Sequence, residues 1–595
     1  MFFTKAYGKK SLIFILVVLL ILIRNISINY PLPGENIAKV ISISENYVIA
    51  KTKRSKVLIY TKENITYDSV IKYTGFYEEI FSPYSKYSFM FDKYAKNNYI
   101  KYSIKPKNLK VIKEGKTVRS YLYKKTLSHQ DSKLLSKLLF KINNQDLDLD
   151  IIMLLSSAGV IIKSLISFLK KIFSKIMYPS QVFIVEIILY LFFMLIFKHY
   201  LFYLNILIFT FIKKLKYKKA DSTFLSATII LLIDPLYMYS LSFIINFSFR
   251  LLSCVSLNKN FRFIEGLIVI LPIQLRLFYQ ANVFQIVAYR FYKIIGTTAY
   301  LLAGFDLIFN SRFAYNFLKL VDFKPTYGSI TGHMSTPLLV MWIFFSLLVL
   351  SRNKLVHKLS LIIILIINQN QLLFSPTLKY SQLYVGQGDG AILTYPHKRE
   401  VLFIDTGPPS AKNKIEAFLN YYGVRKIHSI ILSHDDLDHS GNKDYLIENY
   451  QVSKLVETPQ VVDFYKLKLT TINFDLDDEN DNSLITYFVI NDYTYLSLGD
   501  ISKDVEKMFL KEYSYIKPNI VKIGHHGSDT SSSDELLSLD SIKILLNSSG
   551  YRNMYKHPNH KVVKRALKYQ LPFIDTQQVG DIEIIHLFGY NFLAY

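Results

Sequence analysis

Ten residues in the last third of the chain, SHDDLDHSGN from Ser433 to Asn442, constrain the fold more than any other stretch. They set His434, Asp436, Asp438 and His439 in a His-x-Asp-x-Asp-His order. Carboxylates and imidazoles this close together disfavour one another's charged forms unless cations hold them. The preceding run KIHSIIL (Lys426 to Leu432) has the apolar character of a buried strand, so the ligands arrive on a tight strand-to-helix loop. A solvated acidic loop would explain neither that strand nor the two flanking histidines, whereas a metal site requires both.

The surroundings predict an α/β sandwich from Leu383 onward. Strand-like runs such as EVLFIDTG, LITYFVI and TYLSLGD alternate with helical ones such as KNKIEAFLNYYG and SKDVEKMFLKEY. At about two hundred residues the region can bury a core of its own. Four further pieces fall at the ends of predicted strands. GQGDG (Gly386 to Gly390) and DTG (Asp405 to Gly407) are expected to be turns whose glycines let the backbone approach a site. LSLGD ends in Asp500, a carboxylate able to bridge two metals, and KIGHHGS supplies His525 and His526. An oxygen-rich set containing Asp436, Asp438 and Asp500 favours one or two divalent ions, Mn²⁺ or Zn²⁺, over a thiolate-preferring metal. Such an ion makes hydroxide available at neutral pH, and a second can hold the leaving and attacking oxygens of a phosphodiester. Lys522, Ser528 and Ser531 are the expected phosphate contacts, with Asn553 and His557 in YRNMYKHP placed to orient substrate or protonate a leaving group.

The chain is 595 residues long, too long for one core, and 51% apolar, which points to a multi-span membrane protein. A basic start followed by an apolar run from Ser11 to Ile23 predicts an N-terminal anchor. From about Ile37 to Tyr123, short alternating runs (AKVISI, NYVIAKT, KVLIYT, SVIKYTGFY) predict a small all-β unit of five or six strands, a Greek-key barrel of OB type. KKTLSHQDSKLLSKLLFKI then has the pattern of an amphipathic helix suited to a membrane surface. Apolar segments follow near Ile151 to Leu169, Val182 to Phe197, Tyr200 to Ile212, Phe224 to Phe247 with a break at Pro235, Phe263 to Phe278, Val283 to Leu307, Thr336 to Leu350 and Val356 to Ile367. Basic loops at Lys170 to Lys175, Lys213 to Lys219 and Ser351 to Lys358 are expected to be cytoplasmic, which puts the β unit and the C-terminal region outside. Lys163, Glu186, Asp234 and Arg276 lie within apolar runs, where charge is costly and marks a pathway by default. For Asp234 a helix N-cap before Pro235 competes with that role. The single cysteine, Cys254, excludes an intrachain disulfide and a thiolate cluster. A formal charge of +25 suits a polyanionic partner such as nucleic acid or an anionic membrane.

The order His-x-Asp-x-Asp-His, Gly-Asp, His is similar to that of the metallo-β-lactamase superfamily. That resemblance implies a four-layer αββα sandwich. Carried over, His434 and Asp436 would serve a first metal, Asp438, His439 and His525 a second, and Asp500 would bridge them. The superfamily's third histidine has no counterpart, since Glu457 to Leu498 contains no His. Asp438, His526, Lys522 and His557 form the expected catalytic set.

Taken with the order of the upstream parts, the motifs VGQGDGAILTY, VLFIDTG, SHDDLDHSGN, LSLGD, VKIGHHGSDTSSS and SSGYRNMYKHP resemble those of the ComEC family of competence proteins. LLSSAGVIIKSLISFL, LLIDPLY and VILPIQLRLFYQANVF resemble its membrane segments. Tyr384 stands where the family generally has Asp, and Asn442 replaces a glycine. The resemblance implies an anchor (1–30), an OB-like domain (31–125), a polytopic membrane domain (126–370) and a metallo-β-lactamase-like domain (371–595) in a bacterial inner membrane. It implies a channel for DNA uptake that passes one strand inward while the metal domain hydrolyses the other. The implied partners are DNA, double-stranded outside and single-stranded in transit, membrane lipid, a DNA receptor, and a cytoplasmic helicase or single-strand-binding proteins. The alternatives are a DNA channel with an inactive metal domain and a membrane-anchored metallohydrolase of a small substrate.

Overall fold

The computed structural model describes residues 9–24, 36–142, 158–196, 200–255, 262–321, 329–352 and 354–595. The ends of the expected anchor (1–8 and 25–30) and the start of the first apolar segment (151–157) lie outside the described residues.

Alternation builds the N-terminal sheet. In β1 (Ile37–Ile43) the side chains of Ala38 and Val40 are buried while Lys39 is exposed, and the sequence IAKVISI dictates that pattern. β1, β2 (Tyr47–Lys51) and β3 (Lys56–Tyr60) form an antiparallel meander. β4 (Val70–Thr74) pairs antiparallel with β1, and β7 (Asn108–Lys113) with β4. β6 (Ile100–Ile104) runs parallel to β3 and carries β5 (Tyr77–Glu79) at its outer edge. The sheet therefore has seven strands where the pattern predicts five or six, because the run SVIKYTGFY is divided into β4 and β5. A helix, Phe91–Asn97, covers Ile49, Leu58 and Ile100 with Ala95.

The segment after the sheet forms helix Val118–Leu127, a short helix Ser132–Leu135 and a π-turn Ser136–Phe140. Protein covers its apolar face: Leu134, Leu135, Leu138, Leu139 and Phe140 share one core with Tyr67 of the β unit and with Ile162, Tyr190 and Tyr203 of the following helices. The expected exposure of this face to a membrane surface does not arise, because Tyr67, Tyr123 and Phe140 stack against one another at 5.1–5.6 Å.

The middle of the chain is helical, and among the described residues two helices, Pro179–Ile196 and Phe291–Phe309, are long and apolar enough to cross a bilayer. Leu241–Cys254, Gly266–Leu277, Thr336–Arg352 and Leu355–Gln369 are apolar but shorter. The N-terminal helix, Lys9–Arg24, joins them through Phe14, 4.9 Å from Phe247 and 5.7 Å from Phe224. The predicted break at Pro235 is present: helix Lys219–Ile233 stops, a 3₁₀ turn Pro235–Tyr239 follows, and the next helix begins at Leu241. Asp234 occupies the N-cap position, yet its carboxylate accepts from Tyr99 Oη at 3.1 Å instead of a helix N–H. Glu186 pairs with Lys170. After helix Arg262–Leu277, β8 (Gln280–Asn282) pairs antiparallel with β9 (Ser329–Thr331), and Arg276 donates to Met334 O (2.9 Å) and lies 3.1 Å from His333 Nε2, tying the helix end to the residues after β9.

The C-terminal region consists of two seven-stranded sheets packed face to face. The first has the order β14-β13-β12-β11-β10-β22-β23, from β10 (Leu378–Gln382), β11 (Ala391–Thr394), β12 (Glu400–Ile404), β13 (Lys426–Ile431), β14 (Gln451–Val456), β22 (Ile582–Leu587) and β23 (Tyr590–Ala594). The second runs β15 to β21 in sequence: Val461–Phe464, Leu467–Ile472, Ile485–Ile490, Tyr493–Ser497, Ile520–Lys522, Ile544–Asn547 and Phe573–Asp575. Leu393, Leu402, Phe464, Leu469 and Phe488 fill the space between the sheets. Helix Lys412–Tyr422 covers the outer face of the first sheet through Ile415, Phe418 and Leu419. Helices Lys503–Glu512 and His560–Lys568 cover the second through Val505, Phe509, Val562 and Ala566. These are the four layers of the metallo-β-lactamase fold.

Three parts of the chain meet at an aromatic junction. His333 stacks on Tyr421 at 4.6 Å, and Tyr279 and Tyr87 each meet Tyr421 edge-on at 5.1 Å. The Tyr87 hydroxyl contacts Glu583 and lies 3.1 Å from that of Tyr422. The loop between β5 and helix Phe91–Asn97 is thereby held against the C-terminal sandwich.

Candidate metal centre

Loops at one edge of the two sheets bring the acidic and imidazole side chains together. Asp405 follows β12, Ser433 and His434 follow β13, Asp500 follows β18 and His525 follows β19, while Asp389 sits between β10 and β11. Asp389, His439, Asp500 and His526 are all buried, with one potential ligand atom of each within 4.8 Å of the others. His439 Nε2 lies 3.2 Å from Asp500 Oδ1, and His526 Nε2 lies 3.1 Å from Asp438 Oδ2 and 3.6 Å from Asp500 Oδ2. The His434 and His439 rings are 4.2 Å apart, and those of His439 and His526 5.1 Å.

Asp405 and Ser433 fix the ring of His439, Ser433 Oγ lying 3.1 Å from its Nδ1. Asp405 Oδ2 lies 3.0 Å from its Nδ1, and Asp405 also accepts from Ser433 N (2.7 Å) and Ser433 Oγ (3.0 Å). Nε2 is thus left to face the cluster, the second-layer arrangement that orients a metal-binding imidazole. His525 and His526 adopt positive φ (49° and 52°), a turn held by Ser528 N–H to His525 O at 2.8 Å and His526 Nδ1 beside Ser548 O at 3.1 Å. Gly388 admits Asp389 to the site, since a Cβ there would stand 2.3 Å from Asp438 O. Asn442, the departure from glycine, clamps the DTG turn by donating to Thr406 O (2.8 Å), Gly407 O (3.1 Å) and Pro408 O (2.7 Å).

The electrostatics match the geometry. Burial opposes charge on Asp500, but the imidazoles of His526 and His439 hold its carboxyl well below the usual range. Burial likewise works against charge on His439, and the carboxylates of Asp500 and Asp405 outweigh it, holding the imidazole well above its ordinary value. Asp389 Oδ1, His439 Nε2 and Asp500 Oδ1 of the cluster, and His434 Nε2 beside it, are buried without a well-formed hydrogen bond. Unpartnered buried donors and acceptors of this kind are costly, and a cation shared among them removes the cost. The donor set, imidazole nitrogen with carboxylate oxygen, fits a divalent metal ion.

The quartet differs in part from the ligands expected. It contains His439 and Asp500 but takes His526, not His525, and adds Asp389. His434 lies against His439, with Asp436 Oδ2 3.4 Å from its Nε2 and the Asp436 side chain half exposed. Asp438 sits at the rim, and His525 Nε2 is 3.9 Å from Asp500 Oδ2. Lys522 is buried in contact with Asp389 and does not face an opening. Ser531 Oγ donates to Gly524 O (2.7 Å), and Asn553 Nδ2 donates to Gly550 O (2.8 Å) and His557 O (2.6 Å), so both polar groups are engaged by backbone. Ser528 Oγ accepts from Thr530 Oγ1 at 3.0 Å. His557 lies 6.0 Å from His525, ring to ring. Asp389 as a member of the quartet and Asp405 as the residue that orients His439 are additions of the structure; the available signals were the glycine-flanked Asp of GQGDG and the strand-end Asp of DTG.

Comparison with known proteins agrees with the sandwich. Residues 384–476 match the model of the metallo-beta-lactamase superfamily. The chain is 23% identical over 453 residues to ComE operon protein 3 of Bacillus subtilis, covering 62% of this chain and 58% of that protein. It is 28% identical over 214 residues to competence protein ComA of Neisseria gonorrhoeae, covering 33% of this chain and 31% of that one. Recombination protein 2 of Haemophilus influenzae is 29% identical over 236 residues, covering 36% and 29%. Each match spans less than two thirds of the relative's own length. The chain is a homologue of the ComEC-family competence proteins, with a metallo-beta-lactamase domain at its C-terminal end.

Proposed function

We propose that the chain is an inner-membrane channel for DNA uptake in natural transformation, and that its C-terminal metal-dependent domain hydrolyses the strand that is not transported. The observation that carries this reading is the buried Asp389–His439–Asp500–His526 cluster, with three unpartnered ligand atoms at one point, in a relative of proteins named for competence. In this scheme the chain divides into an anchor (1–30), an OB-like domain (31–125), a polytopic domain (126–370) and a metal domain (371–595). In support of the OB type, β4, β1, β2 and β3 adjoin in that order and a later strand, β6, is added parallel to β3. Both outer domains lie outside the cell in this scheme.

Bound at the cluster, a Mn²⁺ or Zn²⁺ ion would make hydroxide available at neutral pH and draw charge from a phosphodiester oxygen. Asp405 keeps His439 in one orientation, and Lys522 balances Asp389 beneath the cluster. Asp438, half exposed at the rim and 3.1 Å from His526 Nε2, is placed to orient the attacking water and accept its proton. His557, next to His525, is placed to protonate the leaving oxygen.

A test uses the full chain in detergent micelles with end-labelled DNA and Mn²⁺, Zn²⁺ or chelator. Metal-dependent cleavage that is lost in Asp438→Ala is the expected result. Metal binding without cleavage of any nucleic acid would favour the channel with an inactive metal domain, a reading that the missing histidine between Glu457 and Leu498 supports.

A further inference from the structure

A cleft of about 440 Å³ opens where the edge of the N-terminal sheet meets the C-terminal sandwich, lined by Phe81, Tyr551, Gln577 and Gln578. Phe81, which follows β5, and Tyr551, on the loop after β20, touch each other along it, with ring centroids 5.0 Å apart and planes tilted by 53°. Both keep exposed faces, at 45% and 37% relative exposure. The cleft is held in shape from both sides. Arg552 pairs with Glu78 of β5, Tyr551 N–H donates to Tyr384 Oη at 3.2 Å, and Asp581 N–H donates to Tyr84 O at 2.8 Å.

The cleft adjoins the loop that carries His557. Gln577 Nε2 donates to His557 O at 3.3 Å, so a lining residue touches the loop that carries His557 beside His525. On the same loop Tyr555 is well exposed and stacks on His557 at 5.8 Å. Phe76, just before β5, is 79% exposed. Cations accompany these rings: Lys107 stands 5.5 Å from Phe76, Lys93 5.4 Å from Tyr84 and Arg552 5.1 Å from Tyr551.

We propose that this cleft is a base-stacking subsite, in which the exposed ring faces of Phe81 and Tyr551 take unpaired nucleobases of a single strand whose backbone runs on along the loop that carries His557. An aromatic face takes any base, Lys93 beside Tyr84 and Lys107 beside Phe76 suit the flanking phosphates, and the Gln578 amide can meet a base edge. A duplex hides its base faces and gains nothing from the rings, so the occupant is single-stranded. The assignment rests on the nuclease reading for the strand's destination, and its own claim is binding.

The test measures fluorescence anisotropy of a labelled twelve-residue oligothymidylate with the full chain in detergent and chelator, so that no cleavage intervenes. Phe81→Ala and Tyr551→Ala are each expected to weaken binding about tenfold, the scale of one lost base stack, with Phe81→Trp restoring it. An abasic strand of equal length and a blunt duplex are expected to bind wild type and variants alike, and metal-dependent hydrolysis of bis(p-nitrophenyl) phosphate is expected to be unchanged. Equal oligothymidylate affinity in wild type and both alanine variants, or an equal loss for the abasic strand, would overturn the subsite. Should wild type hydrolyse no phosphodiester while the alanine variants still lose strand binding selectively, the subsite stands and the nuclease reading falls.

Discussion

Lys522 offers a sharp test of the electrostatics proposed for the cluster. Its side chain is 3% exposed and contacts Asp389, itself 5% exposed, within a site that also holds Asp405, Asp438 and Asp500. Lys522→Met keeps most of the volume and removes the charge, leaving Asp389 buried without its partner. Breaking a buried pair from one side costs about 3–5 kcal/mol. For a folding unit of about 150–250 residues that is a fall of roughly 6–20 °C in melting temperature. A divalent cation would supply the missing charge and meet no ammonium competing for Asp389, so the variant should bind it more tightly. Each tenfold gain in affinity adds about 1.4 kcal/mol to the stabilisation by excess metal. Thermal denaturation of the full chain with chelator and with Mn²⁺ measures both effects. The expected outcome is a large drop in chelator and a metal-induced rise greater than that of wild type. A variant as stable as wild type in chelator, or one that gains no more from metal, would refute the view that Lys522 is a counter-charge to a metal-ligand carboxylate.

Asp405→Asn should leave the fold intact and lower metal affinity by about 10- to 100-fold, read by competition with a chromogenic chelator, because His439 loses the carboxylate that orients its ring. Gly580→Ala should loosen the contact between the N-terminal segment and the sandwich. Its φ is +88° and its Cβ would stand 1.7 Å from Tyr84 O, so a cost of about 2–5 kcal/mol is expected as a lower melting temperature and faster proteolysis near Tyr84. Glu506→Gln should destabilise the loop that follows His525. The buried Glu506 carboxylate accepts from Ser532 N (2.7 Å) and Ser533 N (2.6 Å), and an amide can accept only one of these well, a loss of about 1.5–3 kcal/mol measurable by thermal denaturation.

The sandwich was legible because its signals are local. Strand runs ending in Asp405, His434, Asp500 and His525 follow from alternation and turn residues, and the ligand types in SHDDLDHSGN restrict what can hold them. The membership of the cluster was less legible, since it depends on which loops of the two sheets converge. Asp389 enters from the first sheet, across from Asp500 and His526 of the second, and no spacing along the chain records that approach. Ser531 and Asn553 looked free in sequence but spend their polar groups on nearby carbonyls, an outcome set by backbone path. The same holds for Asp234, whose cap position was predicted correctly while its partner, Tyr99, lies 135 residues away. The leucines of Leu134 to Leu139 carry an amphipathic pattern whatever covers them, and here the cover is protein.

The central claim is that Asp389, His439, Asp500 and His526 form a metal centre. The most direct measurement is elemental analysis of the purified, detergent-solubilised full chain after equilibration with Mn²⁺ or Zn²⁺, for wild type and for His439→Ala combined with Asp500→Ala. One or two ions per wild-type chain and a loss of bound metal in the variant, with far-UV circular dichroism unchanged, are predicted. Wild-type chains that retain no metal, or a variant that retains as much as wild type, would contradict it.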